Sequence, residues 1–324
     1  MPDCENGHWY RCHGLLVWSA FAIPQMLAAA SPGTADIRIE TGPEAARTVA
    51  LARAQPDAGQ GVVWQSPQGG LCFSVADVGD FWIPHGHTIN ITPHSAVDIP
   101  TLALFTMGSA LGLALLFQDT LVLHCASLAI DQSSILVLGA SGAGKSTLAQ
   151  HLSMNGYHAL GDDTCALWRV AGASAPVIYP SGTAFKLWRN ALDAVGIDPA
   201  GHQSVGQRLD KYFVANARAA DDRPHTVSRI VVLEKSDGKN CKPVLEPLDK
   251  LDAMQTVTEY VYRPQFVGAL GLWEGQFSQI SKLVAGTEVL RLTRPWGHEF
   301  MPEVVDLLKT GQSNMDSREP IKLL

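Results

Sequence analysis

The chain has 324 residues, of which 46% are hydrophobic, and carries a formal net charge of -7 with a pI near 5.8. That is enough apolar material for one large domain or two ordinary ones, and the acidic balance, without any dense Lys/Arg run, leaves no electrostatic footprint for nucleic acid or an anionic membrane. The six cysteines (Cys4, Cys12, Cys72, Cys125, Cys165, Cys241) are scattered without a C-x-x-C pair, which excludes a disulfide scaffold and suggests reduced thiols in a cytoplasmic protein.

Cys4, His8, Cys12 and His13 come first and match no zinc-finger or ribbon spacing. Leu15 to Ala30 has an apolar core, but Pro24 interrupts it and Asp3 and Glu5 stand where a signal peptide carries positive charge, so it reads as an early buried strand. Up to about residue 118, short apolar runs alternate with Gly/Pro/Asn/Asp turns: Tyr10 to Ala20, Asp36 to Glu40, Gly61 to Gln65, Leu71 to Val75, Phe81 to Pro84 and Thr88 to Thr92. Such spacing predicts a small strand-rich N-terminal domain over residues 1-118. It closes with the uncharged stretch Thr101 to Phe117, read as a core helix capped by Asp98 with Pro100 in its first turn, and not as a membrane span. Gly108 and Gly112 on that helix predict close packing.

A second domain is expected over residues 119-310, followed by a loose polar tail over 311-324. It opens with two strand-like runs, Leu121 to Ile130 and Ser134 to Leu138, separated by Asp131-Gln132. Directly after them stands G-A-S-G-A-G-K-S, Gly139 to Ser146, and then a helix-forming segment, Thr147 to Met154. This is a complete Walker A loop in its required context: a buried strand delivers a glycine-rich turn whose backbone N–H groups wrap phosphates at a helix N-terminus. Gly139, Ala140, Ser141, Gly142, Ala143, Gly144, Lys145, Ser146 and Thr147 form the expected nucleotide site. Within it, Lys145 reaches the terminal phosphates and the Ser146 hydroxyl ligates Mg²⁺. Asn155-Gly156 ends the helix, and Tyr157 to Leu160 leads as a strand into Gly161-Asp162-Asp163. Those two carboxylates follow Ser146 by sixteen and seventeen residues, so one can hold Mg²⁺ while the other takes a proton. Further on, Ala184 to Val195 has helical spacing, Val227 to Glu234 is strand-like, Lys250 to Tyr262 is helical, Pro302 to Leu308 begins a C-terminal helix, and residues 171-175 approach low complexity.

Three separately spaced elements, LVLHCASLAI, LGASGAGKSTLAQHL and GYHALGDD, together resemble the catalytic core of the HPr serine kinase family. The resemblance implies an α/β fold with the P-loop kinase core shared with phosphoenolpyruvate carboxykinase, and ATP with Mg²⁺ as cofactors, GTP being the alternative nucleotide. It also implies roles: Asp162 as catalytic base for a substrate serine, Asp163 with Ser146 as the metal partner, Lys145 on the phosphates, and His124 supporting Asp162. The family's downstream E-x-R-G signature is missing between Pro180 and Pro224, which argues against phosphorylase activity. The segments YRCHGLLVWSAFAIP, ADIRIETGP, FWIPHGHTINITP and GSALGLALLFQDTLVLHCAS are similar to HPr kinase homologues found with lasso-peptide biosynthesis genes.

In that subgroup the implied reaction is phosphorylation of the C-terminal serine of a ribosomal precursor peptide. Lys186, Arg189, Arg208, Lys211, Arg229 and Arg263 are candidates to receive phosphates or a peptide carboxylate, with plain surface charge as the alternative for each. A carrier-protein kinase of the HPr type, a small-molecule kinase and a non-catalytic nucleotide-binding regulator stand as the other readings, and a homo-oligomer is compatible with all of them.

Overall fold

The computed structural model describes residues 7–55, 63–130, 133–170, 175–194, 196–205, 210–215, 222–236, 242–295, 297 and 299–316. Cys4, Asp131, Gln132, Arg208 and Cys241, singled out above, lie outside the described residues, as do 317–324 of the tail and most of the 171–175 patch.

The N-terminal layer is an eight-stranded mixed sheet built from β1 (His8–Cys12), β2 (Leu15–Ser19), β3 (Leu27–Ala28), β4 (Ile37–Thr41), β5 (Val63–Gln65), β6 (Leu71–Val75), β7 (Gly79–His85) and β8 (Thr88–Pro93), with α1 (Glu44–Arg53) against it. Its spatial order is β3-β1-β2-β4-β8-β7-β6-β5. The run Tyr10 to Ala20 is therefore a hairpin and not one strand. It folds back at His13 and Gly14, whose φ values of 55° and 81° reverse the chain. The single early strand expected over Leu15 to Ala30 is likewise broken, since residues around Pro24 turn before β3.

The apolar stretch after this sheet forms α2 (Ile99–Phe105), a π-helical turn (Thr106–Ala110) and α3 (Leu111–Leu116). Asp98 caps it as predicted, its carboxylate accepting from the Thr101 N–H at 2.7 Å. Ile99–Phe117 is long and apolar enough to cross a membrane, and it packs mostly inside the protein. Gly108 and Gly112 lie against Tyr262: a Cβ at Gly112 would stand 2.9 Å from the tyrosine ring.

The remaining elements are β9 (Leu121–Leu123), β10 (Ala126–Ile130), β11 (Ser133–Gly139), α4 (Lys145–Met154), β12 (His158–Gly161), β13 (Cys165–Leu167), β14 (Val177–Ile178), β15 (Ala184–Trp188), α5 (Arg189–Ala194), β16 (Gln203–Ser204), β17 (Lys211–Ala215), β18 (His225–Lys235), β19 (Val244–Pro247), α6 (Lys250–Glu259), α7 (Pro264–Ala269), α8 (Trp273–Gly286), β20 (Glu288–Arg294) and α9 (Met301–Asp316). A seven-stranded central sheet runs β12-β10-β11-β18-β20-β19, with β14 also on β18. Its three middle strands, β11, β18 and β20, are parallel.

Alternation along β11 divides the core. Leu136 and Leu138 face the larger apolar cluster, shared with α3, α6 to α8 and the N-terminal sheet, whereas Ile135 and Val137 face α4 and α9. Burial on both sides is why this strand reads as a continuous apolar run, and truncating one such Leu to Ala costs about 2–5 kcal/mol. Phe73, Phe81 and Ile89 of the N-terminal sheet belong to the same cluster as Leu136 and Ile230, so the sheet is packed directly on the central layer.

Two expectations fail here. Ala184 to Trp188 is strand β15, paired with β17, and helix begins only at Arg189. Its alternating burial, with Phe185 and Leu187 inside and Trp188 exposed, is the period of a strand. The stretch beyond residue 310 is not loose from its first residue, because α9 continues to Asp316.

Candidate active site

β11, β18 and β20 end together, and the glycine-rich loop crosses those carboxyl ends, where open α/β sheets hold their ligands. The loop passes from Gly139 to α4 with left-handed backbone at Gly142 (φ 81°) and Gly144 (φ 91°). At Gly144 the left-handed φ favours glycine, and the Arg294 guanidinium occupies the space beside its Cα. The first-turn N–H groups of α4 have no intrahelical acceptor and carry the positive end of the helix dipole.

Lys145 is buried, at 7% exposure, and its ammonium donates back to the Gly139 carbonyl at 2.8 Å. Burial lowers the Lys145 pKa, while Asp163 and Asp162 act in the opposite sense. Ser146 Oγ donates to Asp162 Oδ1 at 2.9 Å, and Asp162 Oδ2 accepts from the Lys186 N–H at 2.8 Å. Asp163 turns the other way: its Oδ2 lies 2.6 Å from Lys186 Nζ. The chain bends sharply between the two aspartates, Asp163 adopting a φ of 81°. His124 stabilises that bend, its Nδ1 lying 3.0 Å from the Asp163 carbonyl oxygen. A carbonyl can only accept, so the neutral imidazole carries its proton on Nδ1 and presents Nε2 as an acceptor.

The two adjacent carboxylates are shifted in opposite directions. Burial raises the Asp162 pKa and the neighbouring Asp163 charge adds to the rise. Burial acts in the same upward sense on Asp163, yet the Lys186 ammonium and its hydrogen bond, with His124 and Lys211, hold this carboxyl well below the usual aspartate range. Lys186 is raised in return: burial opposes its charge, and Asp163 and Asp162 prevail. For His124, burial and the Lys145 charge lower the pKa below the ordinary histidine value, against the pull of Asp163, so the ring is neutral near neutral pH.

A cavity of about 670 Å³ opens over the loop and is lined by His124, Lys145, Ser146, Asp163 and Lys186, with Trp188, Arg189 and Lys211 on its far wall. Lys211 stands 4.6 Å from the centre of the Trp188 ring, and Arg189 bonds Asp210 and the Tyr212 hydroxyl.

Of the sequence candidates, Gly139, Ala140, Ser141, Gly142, Ala143, Gly144, Lys145, Ser146 and Thr147 form the loop and the helix start, and His124, Asp162, Asp163, Lys186, Arg189 and Lys211 gather beside it. Arg229 does not. It sits near the opposite end of β18, bonded to Glu288 and to the Leu308 carbonyl. Arg263 stacks over Tyr262 and does not line the cavity. Asp162, and not Asp163, meets the Ser146 hydroxyl, and His124 holds Asp163 and not Asp162.

Arg294 escaped the sequence reading. It is the last residue of β20 and only 4% exposed, its guanidinium donates to the Ala143 carbonyl at 3.0 Å, and it lines the same cavity as Lys145 and Ser146. The signal available was an arginine closing an alternating strand that ends beside Pro295. Among the described residues no three His, Cys, Asp or Glu side chains converge as a metal cluster. The donor pair that fits Mg²⁺ is Ser146 Oγ and Asp162 Oδ1: their 2.9 Å separation equals the roughly 2.9 Å edge between neighbouring ligands of an octahedral ion with bonds near 2.05 Å. Mg²⁺ is commonly held by just one or two carboxylates, with phosphate and water completing its shell.

No protein-family model matches the chain, and no curated protein does. Among solved structures it is similar to the HPr(Ser) kinase/phosphatase of Coxiella burnetii, at 14% identity and a TM-score of 0.35, over 60% of this chain and 99% of that one.

Proposed function

We propose that this protein is a Mg²⁺- and ATP-dependent serine kinase acting on a ribosomal precursor peptide, with the C-terminal serine as acceptor. The observation that carries the phosphotransfer reading is the joint geometry of Ser146, Asp162, Asp163 and Lys186 at the mouth of a glycine-rich loop. Support for a peptide acceptor comes from the N-terminal sequence segments and not from the loop.

In this reading the two aspartates exchange the roles implied by the family resemblance. Asp162, already on the Ser146 hydroxyl, holds the metal with it. Asp163, which faces the cavity, receives the acceptor hydroxyl. Bound Mg²⁺ supplies charge neutralisation on the phosphates. Lys145 exchanges its loop carbonyls for phosphate oxygens, and the backbone N–H groups at the start of α4 orient the same group.

The acceptor oxygen forms a bond to the γ-phosphorus as the bond from phosphorus to the bridging oxygen breaks, and ADP leaves with that electron pair. The hydroxyl proton passes to the Asp163 carboxylate. A strongly basic carboxylate is unnecessary, because phosphoryl transfer is largely loose and depends on positioning and charge more than on proton abstraction. Asp163, held ionised by Lys186 before transfer, orients the hydroxyl.

The test is mass spectrometry of a serine-ended precursor peptide after incubation with protein, ATP and Mg²⁺. A phosphate-mass shift on that serine is expected. ATP binding without a shift on any such peptide directs the search to a carrier-protein or small-molecule acceptor and removes the peptide reading.

A further inference from the structure

The small sheet that carries Lys186 brings a second lysine to the same cavity. Between β15 and β17, Trp188 pairs directly with Lys211 and Lys186 with Phe213, so alternation puts these four side chains on one face. Phe185 and Leu187, on the other face, are buried in the apolar cluster that also holds Leu148 of α4. The first face therefore looks onto the glycine-rich loop, and Lys186, Trp188 and Lys211 all line the cavity of about 670 Å³.

Lys211 is the uncommitted cation of that cavity. Lys186 is bonded to Asp163, Arg189 to Asp210 and the Tyr212 hydroxyl, Arg294 to the Ala143 carbonyl, and Lys145 to the Gly139 carbonyl. The Lys211 ammonium makes no hydrogen bond or ion pair among the described residues, and rests instead on the half-exposed Trp188 ring, 4.6 Å from its centre. Such a contact holds a cation weakly, and a lysine stem is flexible and carries three donors. Its charge nonetheless reaches both sides of the site. Burial lowers the Lys145 pKa, and the Lys211 charge adds to the fall. Against the upward push of burial, Asp163 is held down first by Lys186 and then by His124 and Lys211.

We propose that Lys211 contacts the terminal phosphoryl group of the bound nucleoside triphosphate, from the wall across the cavity from the loop, and is a further catalytic residue of the transfer. This rests on the phosphotransfer reading and deepens it, and it does not depend on the identity of the acceptor. In that reading the phosphorus lies between the acceptor oxygen at Asp163 and the leaving oxygen on the Lys145 side. A cation that acts on both residues flanks the group that moves. Charge in a loose transition state spreads over three equatorial oxygens, and an ammonium without a competing carboxylate is suited to neutralise it. Lys211 transfers no proton: the acceptor proton still goes to Asp163, and the electron pair still leaves with ADP.

The test measures binding of ADP and of a non-hydrolysable ATP analogue, each with Mg²⁺, by calorimetry. Wild type is compared with Lys211→Met and Lys211→Gln, two ways of removing the charge while keeping a long stem beside Trp188. Both variants should bind the analogue about tenfold more weakly, the weight of one lost charge-assisted hydrogen bond, and ADP no more than about twofold more weakly. Near-normal ADP binding also shows that the variants are folded. Equal weakening of the two nucleotides, or of neither, overturns the assignment and leaves the phosphotransfer reading in place. A wild type that binds neither nucleotide overturns that reading, and the role of Lys211 with it.

Discussion

The two ends of the central parallel strands are built from the same residue types and do opposite things. At the amino ends, Arg229 on β18 is 2% exposed and fully engaged by Glu288 at 3.1 Å and by the Leu308 carbonyl. At the carboxyl ends, Lys186 and Asp163 are also paired, but they line open cavities, and the backbone that carries Asp163 is held in a left-handed conformation. One ion pair ties β18, β20 and α9 together. The other keeps its charges available beside a loop that offers N–H groups. The difference lies in what surrounds each pair: satisfied protein at one end, space and strained backbone at the other.

Removing the charge at the open end should give the largest effect. Asp163→Ala is expected to lower kcat by about 10²–10⁴, the usual weight of a positioned acid or base, with the ATP dissociation constant changed by no more than a few-fold. Asp162→Asn separates the two aspartates: it should raise the Mg²⁺ concentration required for half-maximal rate while leaving substantial rate at saturating metal. Were Asp162→Asn to abolish turnover at every Mg²⁺ concentration and Asp163→Ala to spare it, the roles would revert to those implied by the family resemblance.

The closed end should respond in stability alone. Arg229→Met leaves Glu288 without its cation, and since that carboxylate is 30% exposed the loss falls below the 3–5 kcal/mol of a fully buried pair, at about 2 kcal/mol. Urea unfolding measures it, and kcat per folded molecule should stay within twofold. A tenfold loss of kcat in well-folded Arg229→Met would break the contrast between the ends.

Titration sharpens the comparison within the open end itself. Asp163 has its pKa lowered on folding, so its charge stabilises the protein above the ordinary value of 3.8, and that contribution is lost as pH falls through the folded value. Asp162 has its pKa raised, so its ionised form costs stability at neutral pH, and the cost is relieved as pH falls through its own folded value. Neighbouring isosteric changes should thus act with opposite signs: at pH 7, Asp163→Asn lowers Tm and Asp162→Asn raises it. On acidification the Asp162→Asn gain should fade first, and the Asp163→Asn deficit should fade only below pH 3.8. Equal Tm shifts of the same sign would show that the two carboxylates share one environment.

The sequence made the open end readable where the chemistry is local. The Gly139 to Ser146 loop must sit between a strand and a helix, and Asp162 and Asp163 follow at the end of the next strand. It did not show Lys186 on a strand, because AFKLW satisfies short helical and strand periods alike. The choice is made by β17, whose Phe213 pairs with Lys186 from 27 residues away. Arg294 was hidden for a similar reason, since its use depends on where β20 ends relative to Ala143. Which of the two carboxylates meets Ser146 is set at the bend between them, where Asp163 has a left-handed φ, and no spacing rule encodes that bend. Gln25 is further still from legibility: it lines a cleft with Asp162 and Asp163 only because the N-terminal sheet shares a core with the central one.

Gly112 joins the apolar interior to the open end and should give the smallest effect. Its absent side chain lets the Tyr262 ring approach, and that ring in turn lies 6.2 Å from the His124 imidazole, centre to centre. Gly112→Ala gains about 1 kcal/mol of helix propensity and loses about 1–3 kcal/mol to overpacking, for a net loss near 1 kcal/mol. Tyr262→Leu removes the ring that the new methyl meets, so in the double variant the Gly112→Ala change should become neutral or stabilising, a coupling of about 1–2 kcal/mol measurable by urea unfolding. Strict additivity of the two changes would mean that Tyr262 does not sense this helix.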